Sequence, residues 1–419
     1  PMVTNNGFWD TYRTVYPLLS LAYPETLATI LTGWVNASRE GAWTPKWPAP
    51  GHRGTMIGTH LDAVFADAFT KGVPGWDPGE AYEYARRNAF DVAPPGSPYG
   101  RVGLDHYLRL GYVPEDLVEH AASRTLDFAY GDFCLAQMAT GLGRADDAAV
   151  LAERAGWWKN IYDADAGFLR GRRSDGSFGP GFDPYLWGGP YVEGSAWQCG
   201  LAVYHEPLEL GALLAGGGAS TGKMRTAGAT GTGRTAARAL EVHLDALFNA
   251  PPRFDSGHYP TEIHEMSEMA AVDFGQYAHS NQPSHHIPFL YTWTDSPWKT
   301  DHAVRSVLEQ LYDSSPTGFC GDEDNGEMSS WYVLASLGLY QVCPGRPEYR
   351  LTAPLFEEAT VDAEGGRRLR VLAPGSSTNA RYAATIRIDG DELADRAVAH
   401  RRLVGANEMS FDMRRMPGA

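Results

Sequence analysis

The chain has 419 residues, 43% of them hydrophobic and 21% charged, which is ordinary for a soluble globular protein with a large core. Its net charge of -16 argues against binding to nucleic acid or to an anionic membrane surface, because both attract basic residues. No apolar run approaches the roughly 18 residues of a membrane span. The 12 Trp and 21 Tyr are compatible with a carbohydrate-binding cleft, although large cores also contain Trp.

The first three quarters of the chain show mostly helical periodicity. Apolar residues recur at helical spacing in ten segments, namely residues 10–21, 24–37, 58–71, 78–89, 114–142, 144–162, 236–248, 284–294, 298–313 and 326–339. Long loops rich in Gly, Pro and aromatic residues connect several of them, whereas a plain helical bundle has shorter connections. We therefore predict a mainly α fold, with helical hairpins arranged in a ring as an α/α toroid, over residues 1–345.

Two later segments break this pattern. Residues 215–234 are rich in Gly, Thr and Ala and have little to bury, so we expect a flexible surface insertion. Beyond residue 345, four short segments at 349–353, 360–362, 369–373 and 382–388 alternate apolar and polar residues between turns. Residues 346–419 are therefore predicted to form a small β-rich module that packs on the helical domain.

Four carboxylates lie within six positions, at Asp322, Glu323, Asp324 and Glu327, directly before a predicted helix that buries Trp331. Acidic residues at a helix start satisfy free amides and complement the helix dipole, which is the structural explanation of the cluster. Capping uses one or two acids, however, and four together repel one another unless a cation or a proton compensates. The stretch is therefore also a candidate functional site.

The four cysteines show no Cys-x-x-Cys spacing, which disfavours a zinc or thioredoxin-like site. Cys320 and Cys343 bracket the acidic stretch, and a disulfide bridge between them would clamp it. Free thiols are an equally good interpretation, because the sequence does not fix connectivity.

A second candidate carboxylate is Glu193, which lies among Tyr191, Val192, Ala196 and Trp197. Apolar surroundings disfavour the charged carboxylate and raise its pKa, so that it can donate a proton near neutral pH. A helix-start glutamate beside a Gly turn would have the same local sequence.

Glu193 and the acidic stretch together match the needs of glycosidic bond hydrolysis. That reaction requires one carboxyl to protonate the leaving oxygen and a second, ionised carboxylate to activate water or to attack the sugar. Glu193 suits the first role, and Asp322 and Asp324, in polar surroundings, suit the second.

A third stretch, residues 275–288, contains three His, one Asn and two Gln before a predicted helix. Adjacent His285 and His286 cannot share one helix face, and no His-Glu-x-x-His pattern accompanies them, which disfavours zinc. Asn281 and Gln282 offer amide oxygens, which suit a hard cation such as Ca²⁺. A polar turn capped by Ser284 is the structural alternative.

Together these motifs resemble glycoside hydrolase family 92, the calcium-dependent exo-α-mannosidases, over nearly the whole chain. The most specific blocks are Gly321-Asp-Glu-Asp-Asn-Gly-Glu-Met-Ser-Ser-Trp-Tyr and His279-Ser-Asn-Gln-Pro-Ser-His-His. Further matching blocks are Phe8-Trp-Asp-Thr-Tyr-Arg-Thr, residues 60–72, Leu110-Gly-Tyr-Val-Pro, Tyr130-Gly-Asp-Phe-Cys and Glu193-Gly-Ser-Ala-Trp-Gln.

The resemblance implies an inverting hydrolase on an (α/α)6 toroid. Glu193 stands where the family carries its general acid, and Asp324, assisted by Asp322, stands where the family activates water, so about 6.5–9.5 Å is expected between the two carboxyl groups. The family's Ca²⁺ binds O2 and O3 of the sugar and helps to flatten the ring. We place it at Asn281 and Gln282 as an extension of the resemblance.

The resemblance also implies a pocket for mannose-containing glycans. Asp10 stands where the family contacts the terminal mannose, and Trp9 and Trp197 are predicted to bind substrate as well. His264 and Glu265 resemble the pair that α-1,2-selective members use in the neighbouring subsite. On pattern alone these two residues are typical of a helix surface above core methionines.

Three features depart from the family pattern. Members usually carry a β-sandwich domain before the helical domain, whereas this sequence starts with neither that domain nor a signal peptide, so we expect a fragment or a separate partner chain. Gln282 stands where many members have Glu, which removes a negative charge near the expected metal. Residues 215–234 match nothing in the family, whose members are mostly secreted, periplasmic or held at the cell surface.

The predicted function is an inverting exo-α-mannosidase, with α-1,2 as the expected linkage, that removes mannose from N-glycans or mannans with Ca²⁺. An α-mannosidase of another linkage is the alternative within this class. A mannose-binding module without turnover is the alternative outside it, although a binder has no need of both Glu193 and Asp324. A helical scaffold for protein partners would leave the acidic stretch unexplained.

Overall fold

The structure is a computed structural model that describes residues 6–49, 51–216 and 231–417. The helices before the C-terminal strands are, in chain order, α1 (Phe8–Thr11), α2 (Val15–Ala22), α3 (Pro24–Gly41), α4 (Leu61–Lys71), α5 (Pro78–Phe90), α6 (Leu104–Leu110), α7 (Ala121–Gly141), α8 (Ala145–Arg154), α9 (Ala196–Cys199), α10 (Pro207–Leu214), α11 (Gly231–Asn249), α12 (His264–Val272), α13 (Trp298–Gln310) and α14 (Glu327–Ser336). Two short antiparallel pairs lie between them, β1 (Trp47–Pro48) with β2 (His52–Arg53) and β3 (Tyr162–Asp163) with β4 (Phe168–Leu169).

The helix α7 is central to the helical region and is buried along most of its length, where it packs on α4, α5 and α8. Small residues permit this close packing. At Gly131, for example, a Cβ atom would lie 2.6 Å from Nη2 of Arg101, so a larger residue would displace that guanidinium. The guanidinium of Arg101 in turn pairs with Asp132 of the same helix at 2.6 Å, which satisfies a buried charge.

The C-terminal region forms two sheets. A three-stranded sheet has the order β11 (Ala397–Ala399), β6 (Glu348–Leu351), β5 (Leu339–Tyr340), and a five-stranded sheet has the order β10 (Asp391–Glu392), β9 (Tyr382–Ile388), β12 (Glu408–Arg414), β8 (Arg368–Leu372), β7 (Glu358–Asp362). The short helix α15 (His400–Val404) precedes β12.

The sheets share a hydrophobic core with the helical region. Leu21 of α2 and Leu334 of α14 pack in the same cluster as Val371 and Phe411. Because β5 pairs with β6 across residue 345, the strands begin before the predicted domain boundary, and the division at 345 stays a prediction.

The predicted fold class is confirmed, since the described residues are mostly helical with a small C-terminal β region. The four predicted strand segments coincide with β6, β7, β8 and β9. The helix at residues 114–142 starts later than predicted, because Pro114 pairs with Arg172 and His120 has a φ of 56°, which interrupts a helix.

Other segments also differ from the sequence pattern. Residues 284–294 form 3-10 turns (Gln282–Ser284 and Ile287–Trp293) instead of one α-helix, because Pro283 and Pro288 each lack an N–H. The helices α6 and α10 were not predicted. Most of the predicted insertion at 215–234 lies outside the described residues, and residues 231–234 belong to the first turn of α11.

All four cysteines lie within the described residues and are free thiols. Cys320 and Cys343 therefore form no disulfide bridge around the acidic stretch. In the parts of the chain that the structure describes, no helix has both the length and the apolar character needed to cross a membrane.

Candidate active site

Glu193 lies in a tight loop that connects Trp187 to α9. Its φ of 44° is in the left-handed region, which a non-glycine residue adopts only when its contacts hold it there. Two side chains provide those contacts. The hydroxyl of Tyr259 accepts the Glu193 N–H at 3.0 Å, and Nδ2 of Asn281 donates to the Glu193 carbonyl at 2.9 Å and to its Oε2 at 3.2 Å.

The loop ends two residues later in a capping box that starts α9. The Ser195 Oγ accepts the N–H of Trp197 at 3.3 Å, and Oε1 of Gln198 accepts the Ser195 N–H at 2.8 Å. Ser195 and Gln198 are both buried. The sequence Glu-Gly-Ser-x-x-Gln therefore fixes where the loop ends and keeps Glu193 just outside the helix.

The carboxyl of Glu193 has the properties of a proton donor at neutral pH. Burial raises its pKa to about 7, and the nearby carboxylates of Glu265 and Asp324 act in the same direction. The hydrogen bond from Asn281 and the charge of His264 oppose the rise. Because the resulting pKa is close to 7, a substantial fraction of Glu193 carries a proton in neutral solution.

Asp324 lies at the start of α14, in a run of three residues with positive φ: 52° at Asp324, 60° at Asn325 and 96° at Gly326. This conformation turns the chain sharply before the helix. The Asp324 Oδ2 accepts a hydrogen bond from Nε2 of Gln282. Burial raises the pKa of Asp324, the Gln282 bond lowers it, and neighbouring carboxylates, of which Asp322 acts most strongly, raise it again.

The structure brings Glu193 and Asp324 together through two consecutive residues. Asn281 holds the Glu193 carboxyl, and Gln282 holds the Asp324 carboxylate. The Asn281 Oδ1 also accepts the Gln282 N–H at 3.1 Å, which fixes the Asn281 side chain relative to the Gln282 backbone. One rigid turn thus positions both candidate catalytic groups, and each carboxylate raises the free-energy cost of ionising the other.

Asp10 completes the group of carboxyls. It is 4% exposed, and its carboxylate accepts no hydrogen bond from the residues that the structure describes. Burial raises its pKa to about 8, and the Asp324 carboxylate adds to the rise, whereas the guanidinium of Arg13 opposes it. Arg13 is held by Tyr204, whose hydroxyl accepts from Nη1 at 2.9 Å, and it lies over the Trp9 ring at 5.1 Å.

The remaining acids of the 322–327 stretch have separate roles. Glu323 is the capping acid, because its carboxylate accepts from the Gly326 N–H at 2.7 Å and from Ser329 Oγ at 2.6 Å. Glu327 is fully buried, and its Oε1 lies 2.8 Å from Nδ1 of His285. Glu323 therefore fits the capping explanation, and Glu327, the first residue of α14, stands where an acid complements the helix dipole.

His264 and Glu265 begin α12 and lie beside the same group. The His264 Nε2 is 3.2 Å from Glu265 Oε1 and 3.9 Å from Oδ2 of Asp322, while its Nδ1 is 3.1 Å from Oε1 of Glu268. Partial burial lowers the pKa of His264, but these carboxylates outweigh that effect and raise it overall. Asp322 is largely exposed, with 77% of its side chain accessible. Both predicted subsite residues therefore adjoin the acidic stretch.

The two predicted tryptophans lie in different surroundings. Trp9 is buried with Ile57 and Val192, next to the residue that precedes Glu193. Trp197 packs edge-on against Phe168 at 4.9 Å and against His243 at 5.5 Å, within an aromatic cluster. The role of Trp197 in substrate binding stays a prediction.

The predicted calcium ligands are already in use as hydrogen-bonding groups. The Asn281 side chain employs both its oxygen and its nitrogen, whereas Oε1 of Gln282 has no hydrogen-bond partner among the described residues. The buried Oε2 of Glu327 is also without one. Within the described residues no three His, Cys, Asp or Glu side chains lie close enough to hold a metal ion. The two oxygens without a hydrogen-bond partner, Oε1 of Gln282 and Oε2 of Glu327, suit a cation that takes only a few of its ligands from the protein.

Three residues of this arrangement were missed by the sequence analysis. Arg13 stands three positions after Asp10, a helical spacing that offered a signal. Glu327 was noticed only as part of the acidic stretch. Tyr259 lies 66 positions from Glu193, in a loop without periodicity, and nothing in the sequence links the two.

Glu193, whose pKa is raised to about 7, and Asp324 are hydrogen-bonded by two consecutive residues, and two carboxyl groups are what the hydrolysis of a glycosidic bond requires. The family model of the glycosyl hydrolase family 92 catalytic domain matches residues 2–415, and the chain belongs to this family.

Solved structures are similar over nearly the whole chain. The family GH92 inverting mannosidase BT2199 from Bacteroides thetaiotaomicron is 36% identical, with a TM-score of 0.86 over 99% of this chain and 54% of that chain. The family GH92 α-mannosidase BT3965 from the same organism is 26% identical, with a TM-score of 0.82 over 98% of this chain and 50% of that chain. The chain therefore spans about half the length of these mannosidases.

One relative with a curated description comes from Arthroderma benhamiae. It is described as an uncharacterized secreted glycosidase and is 24% identical over an alignment of 337 positions that covers 73% of this chain and 38% of that protein.

Proposed function

We propose that this chain is the catalytic domain of an inverting exo-α-mannosidase, with Glu193 as general acid and Asp324 as general base. The observation that carries the proposal is the pair Asn281 and Gln282, two consecutive residues that each bind one of these carboxyl groups. A domain that only bound mannose would have no use for two carboxyls held in this way.

Glu193 has the protonation behaviour that the role of general acid requires. Glu193, whose pKa is about 7, gives its proton to the glycosidic oxygen as the bond from that oxygen to the anomeric carbon breaks. Asp324 takes a proton from the water that attacks the opposite face of the anomeric carbon. The water becomes the new hydroxyl group, so the configuration at that carbon inverts.

Asp10 and Arg13 suit the recognition of the terminal mannose. A buried carboxyl without a protein hydrogen-bond partner can accept from, or when protonated donate to, a sugar hydroxyl. Arg13 contributes to this role because its positive charge opposes the rise in the pKa of Asp10. Its guanidinium is held in place by a hydrogen bond to the Tyr204 hydroxyl.

The α-1,2 linkage is proposed from His264 and Glu265. Both lie close to Glu193, the group that protonates the leaving oxygen, so they belong to the leaving-group side of the bond. A His–Glu pair in this position presents a donor and an acceptor to the hydroxyls of the neighbouring sugar. N-glycans and mannans are the glycan classes that carry terminal α-linked mannose.

Calcium is proposed as the cofactor. Gln282 and Glu327 would supply oxygen ligands, with backbone, water or substrate oxygens completing the coordination that Ca²⁺ requires. When bound, the ion would orient sugar hydroxyls and offset part of the negative charge of the carboxyls of Asp10, Glu193 and Asp324.

A location outside the cytoplasm is proposed as well, supported by the secreted relative. A β-sandwich domain remains the proposed partner of this domain.

The function is tested by incubating the chain with α-1,2-, α-1,3-, α-1,4- and α-1,6-mannobiose in the presence of Ca²⁺. Hydrolysis is measured as the mannose released. We expect turnover of at least one disaccharide, with α-1,2 preferred, and loss of activity in the Glu193→Gln variant. Binding of mannobiose without release of mannose would contradict the proposal.

A further inference from the structure

A cavity of about 550 Å³ opens beside the loop that carries Glu193. This volume is within the range of about 300–1,000 Å³ that is typical of ligand sites. Three chain segments line it, contributing Glu115, Asp116, Glu119, His120, Arg173, Gly188, Gly189, Pro190, His258 and Tyr259.

Two glycines make the cavity wall. Gly188 and Gly189 have φ values of 81° and 62°, and the rings of Tyr259 and His258 lie directly against them. A Cβ at Gly188 would be 2.8 Å from the Tyr259 ring, and one at Gly189 would be 2.6 Å from the His258 ring. Both rings belong to residues that line the cavity, and an aromatic ring can stack on the apolar face of a sugar.

Tyr259 belongs both to the cavity lining and to the contacts of Glu193. The hydroxyl of this residue contacts the Glu193 N–H at 3.0 Å, while its ring lines the cavity. The same segment continues to His264 and Glu265, and Glu265 is one of the charges that set the pKa of Glu193. Glu193 is proposed to protonate the leaving oxygen, so residues beside it face the leaving group. The segment 258–265 lies beside Glu193, and we therefore place the part of the cavity that this segment lines on the leaving-group side.

The cavity also presents polar groups that the protein does not use. The side chains of Glu119, Arg173 and His258 form no hydrogen bond with any residue that the structure describes, whereas Asp116 is occupied by Ser174 at 2.7 Å. These three side chains offer both donors and acceptors. The lining contains three carboxylates against one guanidinium, which disfavours a phosphorylated or sulfated ligand and favours a neutral, hydroxyl-rich one.

We propose that this cavity is a second leaving-group subsite, which binds a neutral sugar residue one position beyond the sugar that leaves Glu193. The inference rests on the proposed function, because it assigns the cavity to the leaving group of the same reaction. The domain would then act preferentially on oligosaccharides of three or more residues over disaccharides.

The test compares the binding of α-1,2-mannobiose with that of α-1,2-mannotriose by isothermal titration calorimetry. The titrations use the Glu193→Gln variant, so that the sugars are not consumed. A double substitution, His258→Ala with Glu119→Gln, removes one ring and one acceptor from the cavity. The matched control, His302→Ala with Glu153→Gln, makes the same changes at exposed positions outside the cavity.

We expect the trisaccharide to bind about tenfold more tightly than the disaccharide, which corresponds to roughly one stacking contact and one hydrogen bond. The cavity variant should lose this advantage and the control should keep it. Equal affinity for both sugars in the parent, or an advantage that survives the cavity substitutions, would overturn the inference. If the chain with Glu193 intact hydrolyses no mannobiose while the trisaccharide advantage still depends on His258 and Glu119, the subsite stands and the proposed function fails.

Discussion

The hydroxyl of Tyr259 lies 3.0 Å from the backbone nitrogen of Glu193 and accepts its hydrogen bond. Glu193 has a positive φ at this point, so its backbone is held by contacts and not by its own conformational preference. Tyr259 is thus a positioning residue for the general acid, and it acts through the backbone while the Glu193 carboxyl itself contacts Asn281.

Replacement of Tyr259 by Phe should therefore lower kcat more than it changes KM. The substitution leaves the Glu193 N–H without its partner, at a cost of about 1–3 kcal/mol, and a tenfold or larger fall in kcat on mannobiose follows if the loop shifts. Steady-state kinetics give both constants, and Tyr382→Phe in β9 is the matched control. A rise in KM with unchanged kcat would mean that Tyr259 only binds substrate.

The role of Glu193 as general acid predicts a dependence on the leaving group. Glu193→Gln should reduce turnover of mannobiose by about 10²–10⁴, since the sugar hydroxyl needs a proton to depart. An aryl mannoside whose phenol leaves without protonation should lose much less. Equal losses on the two substrates, measured by release of mannose, would show that Glu193 has another role.

The pH profile should respond to Glu265. Burial and then the Glu265 carboxylate raise the pKa of Glu193 to about 7, and activity is lost on the alkaline side as Glu193 gives up its proton. Glu265→Gln removes one of those charges, so the alkaline limb of kcat should move to lower pH. Glu268→Gln, which also removes a partner of His264, is the control and should leave the limb in place. If the alkaline limb of Glu265→Gln stayed in place or moved to higher pH, the assignment of that limb to Glu193 would be contradicted.

Gln282 provides a test of the calcium site. In Gln282→Glu the added negative charge should tighten Ca²⁺ binding, by about tenfold in Kd as measured by calorimetry. Without Ca²⁺ the same substitution removes a hydrogen bond from Asp324 and places a like charge beside it, so the pKa of Asp324, followed by NMR titration of its carboxyl carbon, should rise. Gln310→Glu, exposed on α13, should change neither quantity. Chelation of Ca²⁺ should abolish the activity of the parent chain.

Asp10 should make the protein less stable as the pH rises. Its pKa is raised from 3.8 to about 8, so between these values the folded state holds a proton that the unfolded state has released. The free energy of unfolding therefore falls across this window. Asp10→Asn should flatten the fall in Tm between pH 5 and pH 8, as followed by circular dichroism. If Tm fell with pH as steeply in the variant as in the parent, Asp10 would be ionised in the folded protein.

Much of the fold was predictable because its signals are local. Helix periodicity located α3, α4, α5 and α13, and alternation located the strands of the C-terminal module. The segment at residues 284–294 was misassigned because its apolar spacing is helical while its prolines interrupt the α-helical hydrogen bonds. The start of α7 was placed too early because the pairing of Pro114 with Arg172 is a long-range contact.

The site was predictable where residue type alone carried the chemistry. Glu193 among aromatic residues and the acidic stretch at Asp324 both stood out, but their meeting on Asn281 and Gln282 depends on tertiary contacts. Positive φ at Glu193 and Asp324 left no sequence signal, because glycine, which usually marks such positions, is absent from both.

The most direct test of the pairing between Glu193 and Asp324 is the anomeric configuration of the first mannose released from an α-mannoside, followed by proton NMR before mutarotation. A general acid and a general base on opposite faces of the sugar predict that β-mannose appears first. Initial release of α-mannose would mean that a carboxylate attacks the sugar directly, and it would contradict the account.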